Sequence, residues 1–185
     1  LSRGWESRLD LTSFDPDRFA DRRDPPEGVE IVTLAEELAR DPESIRAMYE
    51  LDCDISPDEP RIDPYTRPGF EMYRDWVLNR PGSIPDAIFL AKDDDGYVGL
   101  SELFRHDALP GIINTGFTGV RRAFRGRGVA LALKLRALDW AKRHWYREVR
   151  TWNNTLNAPM LGINMKLGFV KQPVWITFGT DLAWG

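Results

Sequence analysis

Cysteine and histidine are almost missing from this 185-residue chain, which has one Cys and two His. A lone Cys53 excludes an internal disulfide and a cysteine-based metal cluster, and it reads as a small core residue. With only His106 and His144 beside it, a zinc site is not expected, and no metal is assigned. No apolar run is long enough to span a bilayer, so no membrane role is expected. The first residues lack the basic-then-apolar pattern of a secretory signal, and a cytoplasmic location is the default expectation. Repeats and low-complexity tracts are absent too. What is present is an ordinary globular composition, 42% hydrophobic and 29% charged, with enough length for one substantial core.

The net charge of −4 conceals an asymmetry. Between Arg121 and Arg150 stand ten Lys or Arg against Asp139 and Glu148, so the rest of the chain is strongly acidic. Helix-surface positions account for Lys134, Arg136, Lys142 and Arg143, but not for Arg121, Arg122, Arg125 and Arg127, which crowd a glycine-rich loop. A short basic segment inside an acidic protein suits a compact polyanion, and nucleic acid is not an expected partner.

Patterning gives a mixed order of elements. Residues 1–28 are polar and proline-punctuated and read as an extension or linker, leaving 29–185 as the domain. Val29 to Val32 reads as a strand, and Thr33-Leu-Ala-Glu36 as a capping box opening a helix. Asp41-Pro42 reads as the start of a second helix through Leu51. Phe70, Tyr73, Trp76 and Val77 recur at helical spacing. Residues 87–92 and 97–104 flank an Asp-Gly turn as a hairpin, and a strand from Ile112 ends at Val120. A helix to Arg143, a strand 148–152, a helix 158–167 and one or two strands within 169–182 complete the order. The fold class expected is α/β with a mixed, largely antiparallel sheet flanked by helices.

Chemistry concentrates in Arg125-Gly126-Arg127-Gly128-Val129-Ala130, set directly after a strand and before a helix. Two glycines permit a tight turn, and the following helix offers unpaired N–H groups and the positive end of its dipole. That combination is a phosphate cradle. A P-loop requires Lys-Ser/Thr after its second glycine, and none follows Gly128. A dinucleotide fingerprint requires a third glycine where Leu131 stands. Nucleotide-triphosphate and nicotinamide chemistry are therefore not expected.

What remains fits Arg/Gln-x-x-Gly-x-Gly/Ala, and here the chain resembles the GNAT superfamily of acetyl-CoA-dependent N-acetyltransferases. A second segment, Asn157-Ala-Pro-Met-Leu-Gly-Ile-Asn164-Met-Lys-Leu167-Gly168-Phe169, looks like the superfamily's late helix with its closing Leu-Gly-Phe. The resemblance implies that the amides of Arg125, Gly126, Arg127, Gly128, Val129 and Ala130 hold the CoA pyrophosphate. It implies that Thr118, Gly119 and Val120 pair through their backbone with the pantetheine arm, and that Asn153 and Asn157 contact the same molecule. Acetyl-CoA is then the co-substrate, and a small cationic amine or a peptide amine the acceptor. The alternative is a non-catalytic acyl-CoA-binding module or sensor.

For catalysis, the tyrosine that the superfamily often places on the late helix falls on Asn164, which can hydrogen-bond a sulfur or a water but cannot act as a general acid. A CoA thiol is a fair leaving group, with a pKa near the roughly 8.5 of a free thiol. Glu102 is the first choice of general base, with His106 and Asp107 as alternatives. An N–H near Val120 is an oxyanion donor. Acids at Glu50, Asp52, Asp54, Asp58, Glu59 and Asp63, with Arg61 among them, are expected to form a rim attracting the amine. A homodimer and a tandem partner module both remain open as assemblies, the second because the stretch from Glu6 to Asp15 looks like a connector between such modules.

Overall fold

A computed structural model describes residues 2–61, 64–106 and 108–177, with backbone alone at Ser2 and Thr177. It is a mixed α/β fold around one seven-stranded sheet. The strands are β1 (Ser2–Asp10), β2 (Glu30–Thr33), β3 (Ile88–Asp93), β4 (Gly96–Arg105), β5 (Ile112–Val120), β6 (Glu148–Asn154) and β7 (Val170–Thr177). Their order is β2-β3-β4-β5-β6-β1-β7, and among the pairings described only β5–β6 is parallel. Helices α1 (Leu34–Arg40), α2 (Ser44–Ile55) and α3 (Phe70–Asn79) precede β3, α4 (Val129–Arg143) joins β5 to β6, and α5 (Ala158–Leu167) leads into β7.

Two apolar clusters form the core. In one, Ile45, Met48, Leu51 and Ile55 of α2 pack with Leu90 and Leu100. In the other, Leu133, Ala137, Leu138 and Ala141 of α4 pack with Ala91, Val98, Ile113 and Val149. The four α4 positions recur at helical spacing, which presents one apolar stripe to the sheet. Thr33 caps α1 as expected, its Oγ1 accepting from the Glu36 amide at 3.2 Å while Glu36 Oε2 accepts from the Thr33 amide at 2.7 Å.

Two expectations change. Helix α2 begins at Ser44, because Asp41 Oδ1 accepts from the Glu43 amide at 2.9 Å and makes a turn there, and it runs on to Ile55. More important, residues 1–28 are no mere extension. Ser2–Asp10 forms a strand paired with β6 on one side and β7 on the other, and Leu9, Leu11 and Phe14 are buried in the core. This strand was hidden because its buried positions include Glu6 and Ser7, which break the apolar alternation expected of a strand. A 3₁₀ turn at Pro16–Arg22 then follows, and Phe19 packs on the α4 side.

Candidate functional site

Strands β5 and β6 stay paired for only three residues, Ile112↔Glu148, Ile113↔Val149 and Asn114↔Arg150. Beyond that point they part. Strand β5 also carries an extra residue, because Ser101 and Leu103 of β4 face Thr118 and Thr115. A bulge of this kind bends its strand and ends regular pairing. The wedge left between the strands opens into a cavity of about 640 Å³ lined by Gly116 to Val120 on one side and Thr151, Trp152 and Asn153 on the other.

The glycine loop forms one end of this cavity. Gly126 and Gly128 have φ of +73° and +92°, the left-handed region that side chains disfavour. Gly128 is also the N-cap of α4 and supplies no side-chain cap, so the first-turn amides have no partner within the helix. Arg125, Gly126, Gly128, Val129 and Ala130 all line the cavity. Arg127 is not on the wall itself; its guanidinium lies 5.0 Å from the centre of the ring of Phe124, which is. Arg125 Nε donates to the Val120 carbonyl at 2.9 Å, which fixes the loop against the end of β5.

The acidic rim is not free for an acceptor. Asp58 accepts from Arg122 Nε at 3.0 Å and from Arg125 Nη2 at 2.5 Å, with a further contact to Arg122 Nη2. These two guanidiniums hold its carboxyl well below the usual carboxylate range. Asp54 lies 3.3 Å from Arg121 Nε, Glu59 pairs with Arg61 at 3.0 Å, and Glu50 pairs with Arg67 at 2.6 Å. Asp52 is bonded to Ser56 and, at 3.2 Å, to the Tyr73 hydroxyl, and burial raises its pKa. Asp63 and Asp107 lie outside the described residues. The acids expected to greet an amine are largely engaged by arginines, three of them in the glycine-loop cluster.

Glu102 sits just behind the cavity wall. It is buried, and a Cβ placed on Gly116 would come within 2.6 Å of its Oε2, so the carboxylate lies against the bulge backbone. Burial pushes its pKa up to about 7, opposed by Arg80, whose Nη2 lies 3.4 Å away, while Asp52 raises it further. The Arg80 guanidinium lies 5.0 Å from the Trp76 ring and 4.7 Å from the Phe104 ring. Sequence reading did not single out Arg80, because the pairing spans 22 residues between α3 and β4.

Asn153 and Asn157 line the cavity, but Asn164 does not. Asn164 is only 2% exposed, and its Nδ2 donates to Asn153 Oδ1 at 2.7 Å. It therefore orients a cavity asparagine from behind. Asn157 caps α5, its Oδ1 accepting from the Met160 amide at 3.3 Å. The Thr118 hydroxyl is tied to Ser101 Oγ at 2.9 Å, and Gly119 is tightly packed, since a Cβ there would meet Phe117 and Ile55 within 2.8 Å. His106 Nδ1 accepts from the Ala108 amide at 3.3 Å and does not line the cavity.

These features coincide with a known family. The model of the acetyltransferase (GNAT) family matches residues 45–169, more than half of the chain. The chain therefore belongs to the GNAT acetyltransferase family. Among solved structures, a GCN5-related N-acetyltransferase from Sphaerobacter thermophilus is similar over 94% of this chain and 50% of its own, with 23% identity and a TM-score of 0.70. A tandem GNAT protein from the clavulanic acid biosynthesis pathway is similar over 91% of this chain and 50% of its own, at 25% identity and a TM-score of 0.65. The NatC complex bound to Gag peptide and CoA covers 78% of this chain with a TM-score of 0.59 at 21% identity. The chain thus spans about half the length of the first two, and these likenesses speak for the fold. No curated protein matches the sequence. Among the described residues no helix is long and apolar enough to cross a membrane, and no cluster of His, Cys, Asp or Glu is grouped to hold a metal.

Proposed function

We propose that the protein transfers an acetyl group from acetyl-CoA to a primary amine, either a small cationic amine or a peptide amine. The observation that carries this reading is the strand wedge running continuously into the glycine loop at the start of α4. The residues fit the donor. Left-handed glycines and unpartnered first-turn amides suit a diphosphate, and Arg122 and Arg125, both paired with the Asp58 carboxylate, supply positive charge beside them. In this reading Arg125 to Ala130 bind the diphosphate, and the backbone of Thr118, Gly119 and Val120 pairs with the pantetheine arm inside the wedge. Asn153, steadied by Asn164, and Asn157 hold its amides.

Glu102, behind the Gly116 backbone, takes the proton lost by the amine through one water. A carboxylate with a pKa of about 7 is matched to that task near neutral pH. As the amine nitrogen bonds to the acetyl carbon, the carbon–sulfur bond breaks and a thiolate leaves. An N–H at the Val120 end of β5 stabilises the developing oxyanion. The leaving thiolate takes its proton from water. A cytoplasmic setting and assembly with a second module of the same family belong to this proposal.

The test is an acetyl-CoA-dependent amine panel read by free thiol. Thiol release with at least one amine is expected, and it should fall on changing Glu102 to Gln. Binding of acetyl-CoA without thiol release across the panel would favour a second reading, a non-catalytic acyl-CoA-binding module. That reading is favoured by one observation: neither Glu102 nor Asn164 is on the cavity wall.

A further inference from the structure

Four of the lysines in this chain are ordinary. Lys92 pairs with Glu37 at 3.0 Å, Lys142 donates to the Phe14 carbonyl, and Lys171 Nζ lies 4.0 Å from the centre of the Trp5 ring. Lys166 is exposed. Lys134 of α4 differs from all of them. It is only 3% exposed, yet among the described residues it has no hydrogen bond and no carboxylate partner. It lines the cavity. The other charged groups on that wall are the cations Arg22, Arg125 and Lys166, and the acids Asp58 and Glu59, each already paired with arginine. Burial without a counter-charge pushes the Lys134 amine down to about 8. An ammonium withdrawn from water and left unpaired is disfavoured, so the neutral, nucleophilic form gains at its expense.

Two observations place this amine along the strand wedge. Helix α4 joins the parallel neighbours β5 and β6, so it runs back from the open end of the wedge toward the closed end. From Gly128 at its cap to Lys134 the helix advances about 9 Å in that direction. Contacts on the other side agree. Lys134 Nζ lies 5.7 Å from the centre of the Phe169 ring, and the Phe169 amide donates to the Asn164 carbonyl at 3.0 Å. Asn164 in turn donates to Asn153, which stands on the β6 wall of the wedge.

We propose that Lys134 is itself an acetyl acceptor, and that the protein acetylates this side chain from acetyl-CoA bound in the cavity. The proposal rests on the acetyl-CoA reading and adds a modification site to it. The neutral Nζ attacks the thioester carbonyl carbon, the carbon–sulfur bond breaks, and CoA leaves as a thiolate. Nitrogen sheds one proton to water, and no further reactant is needed. The product is an uncharged amide, so the reaction removes the one buried ammonium that has no counter-charge. The added acetyl group stands in the donor cavity and narrows it.

Incubating the wild type with acetyl-CoA and no added amine, then reading intact mass and peptide maps, tests this. A single acetyl group is expected first on Lys134. Its rate should exceed that at each of Lys92, Lys142, Lys166 and Lys171 by about tenfold or more, because only Lys134 is held beside the bound thioester. That rate should saturate with acetyl-CoA, fall when CoA competes, and rise with pH through about 8. Acetyl phosphate, which needs no CoA site, should instead modify the exposed Lys166 and Lys171 first. Lys134→Arg keeps the charge and should lose the first acetyl group; the wild-type peptide map decides the matter if that variant does not fold. Acetyl groups spread over the lysines in order of exposure, or an unmodified Lys134 while calorimetry shows acetyl-CoA bound, overturn self-acetylation and leave the donor reading standing. No binding of acetyl-CoA overturns both.

Discussion

The halves of this molecule that the proposed reaction assigns to donor and acceptor are built on different principles. The proposed donor side rests on backbone: two left-handed glycines, the amide end of α4 and a gap between strands. The proposed acceptor side rests on side chains whose charges are already paired, Asp58 with Arg122 and Arg125, and Glu102 with Arg80. A backbone site tolerates drift in the surrounding side chains, whereas a paired-charge site changes with each partner. Specificity for the acceptor is therefore expected to follow the segment between α2 and α3, and the donor to stay constant.

The largest effect expected separates the two halves. Glu102→Gln should lower thiol release about 100-fold or more, the usual contribution of a general base, with acetyl-CoA affinity nearly unchanged. The wild-type rate should rise with pH through about 7 as Glu102 deprotonates, and the Gln variant should lose that limb. Stability has the opposite slope. The native state holds its Glu102 proton up to about 7, above the 4.5 of an ordinary glutamate, so it binds more protons than the unfolded chain in that window. Stability should fall as pH rises between those values, and melting curves of Glu102→Gln should show a flatter dependence. An equal pH slope in both proteins would remove Glu102 from the account.

A smaller effect tests the charge pairs that join the halves. Asp58→Asn frees Arg122 and Arg125, and acetyl-CoA affinity should rise about three- to tenfold, in keeping with the modest strength of exposed ion pairs. A fall in affinity would mean that Asp58 orders the arginines instead of competing for them. The smallest effect concerns packing under the wedge. Gly119→Ala forces Ile55 and Phe117 to give way and should cost about 1–3 kcal/mol, read as a lower melting temperature.

The same contrast explains what sequence could and could not supply. Gly126, Gly128 and the strand–loop–helix order are local signals, and the tight turn they predict stands between β5 and α4 in the structure. The mixed sheet and the helix from Ala158 to Leu167 were legible for the same reason. Strand β1 was not, since Glu6 and Ser7 are buried where apolar residues mark a strand, and its partners are β6 and β7 at the far end of the chain. Asp54 at the end of α2 and Asp58 after it were visible as charge, but their partners Arg121, Arg122 and Arg125 lie more than 60 residues away. Asn164 was correctly located on the late helix, yet only the fold shows that its amide bonds Asn153. Lys134 was passed over as a wet helix position because α4 carries several basic residues and only packing tells which of them is buried.

The central claim is that the glycine loop at the start of α4 holds the donor's diphosphate. Titrating acetyl-CoA into wild type and Gly128→Asp by calorimetry tests it most directly. Aspartate tolerates the left-handed backbone better than most residues, so the substitution chiefly places a negative charge in the cradle. Saturable binding by wild type, and a loss of about 100-fold or more in a variant with a near-wild-type melting temperature, is the predicted result. Equal binding by the two proteins would contradict it.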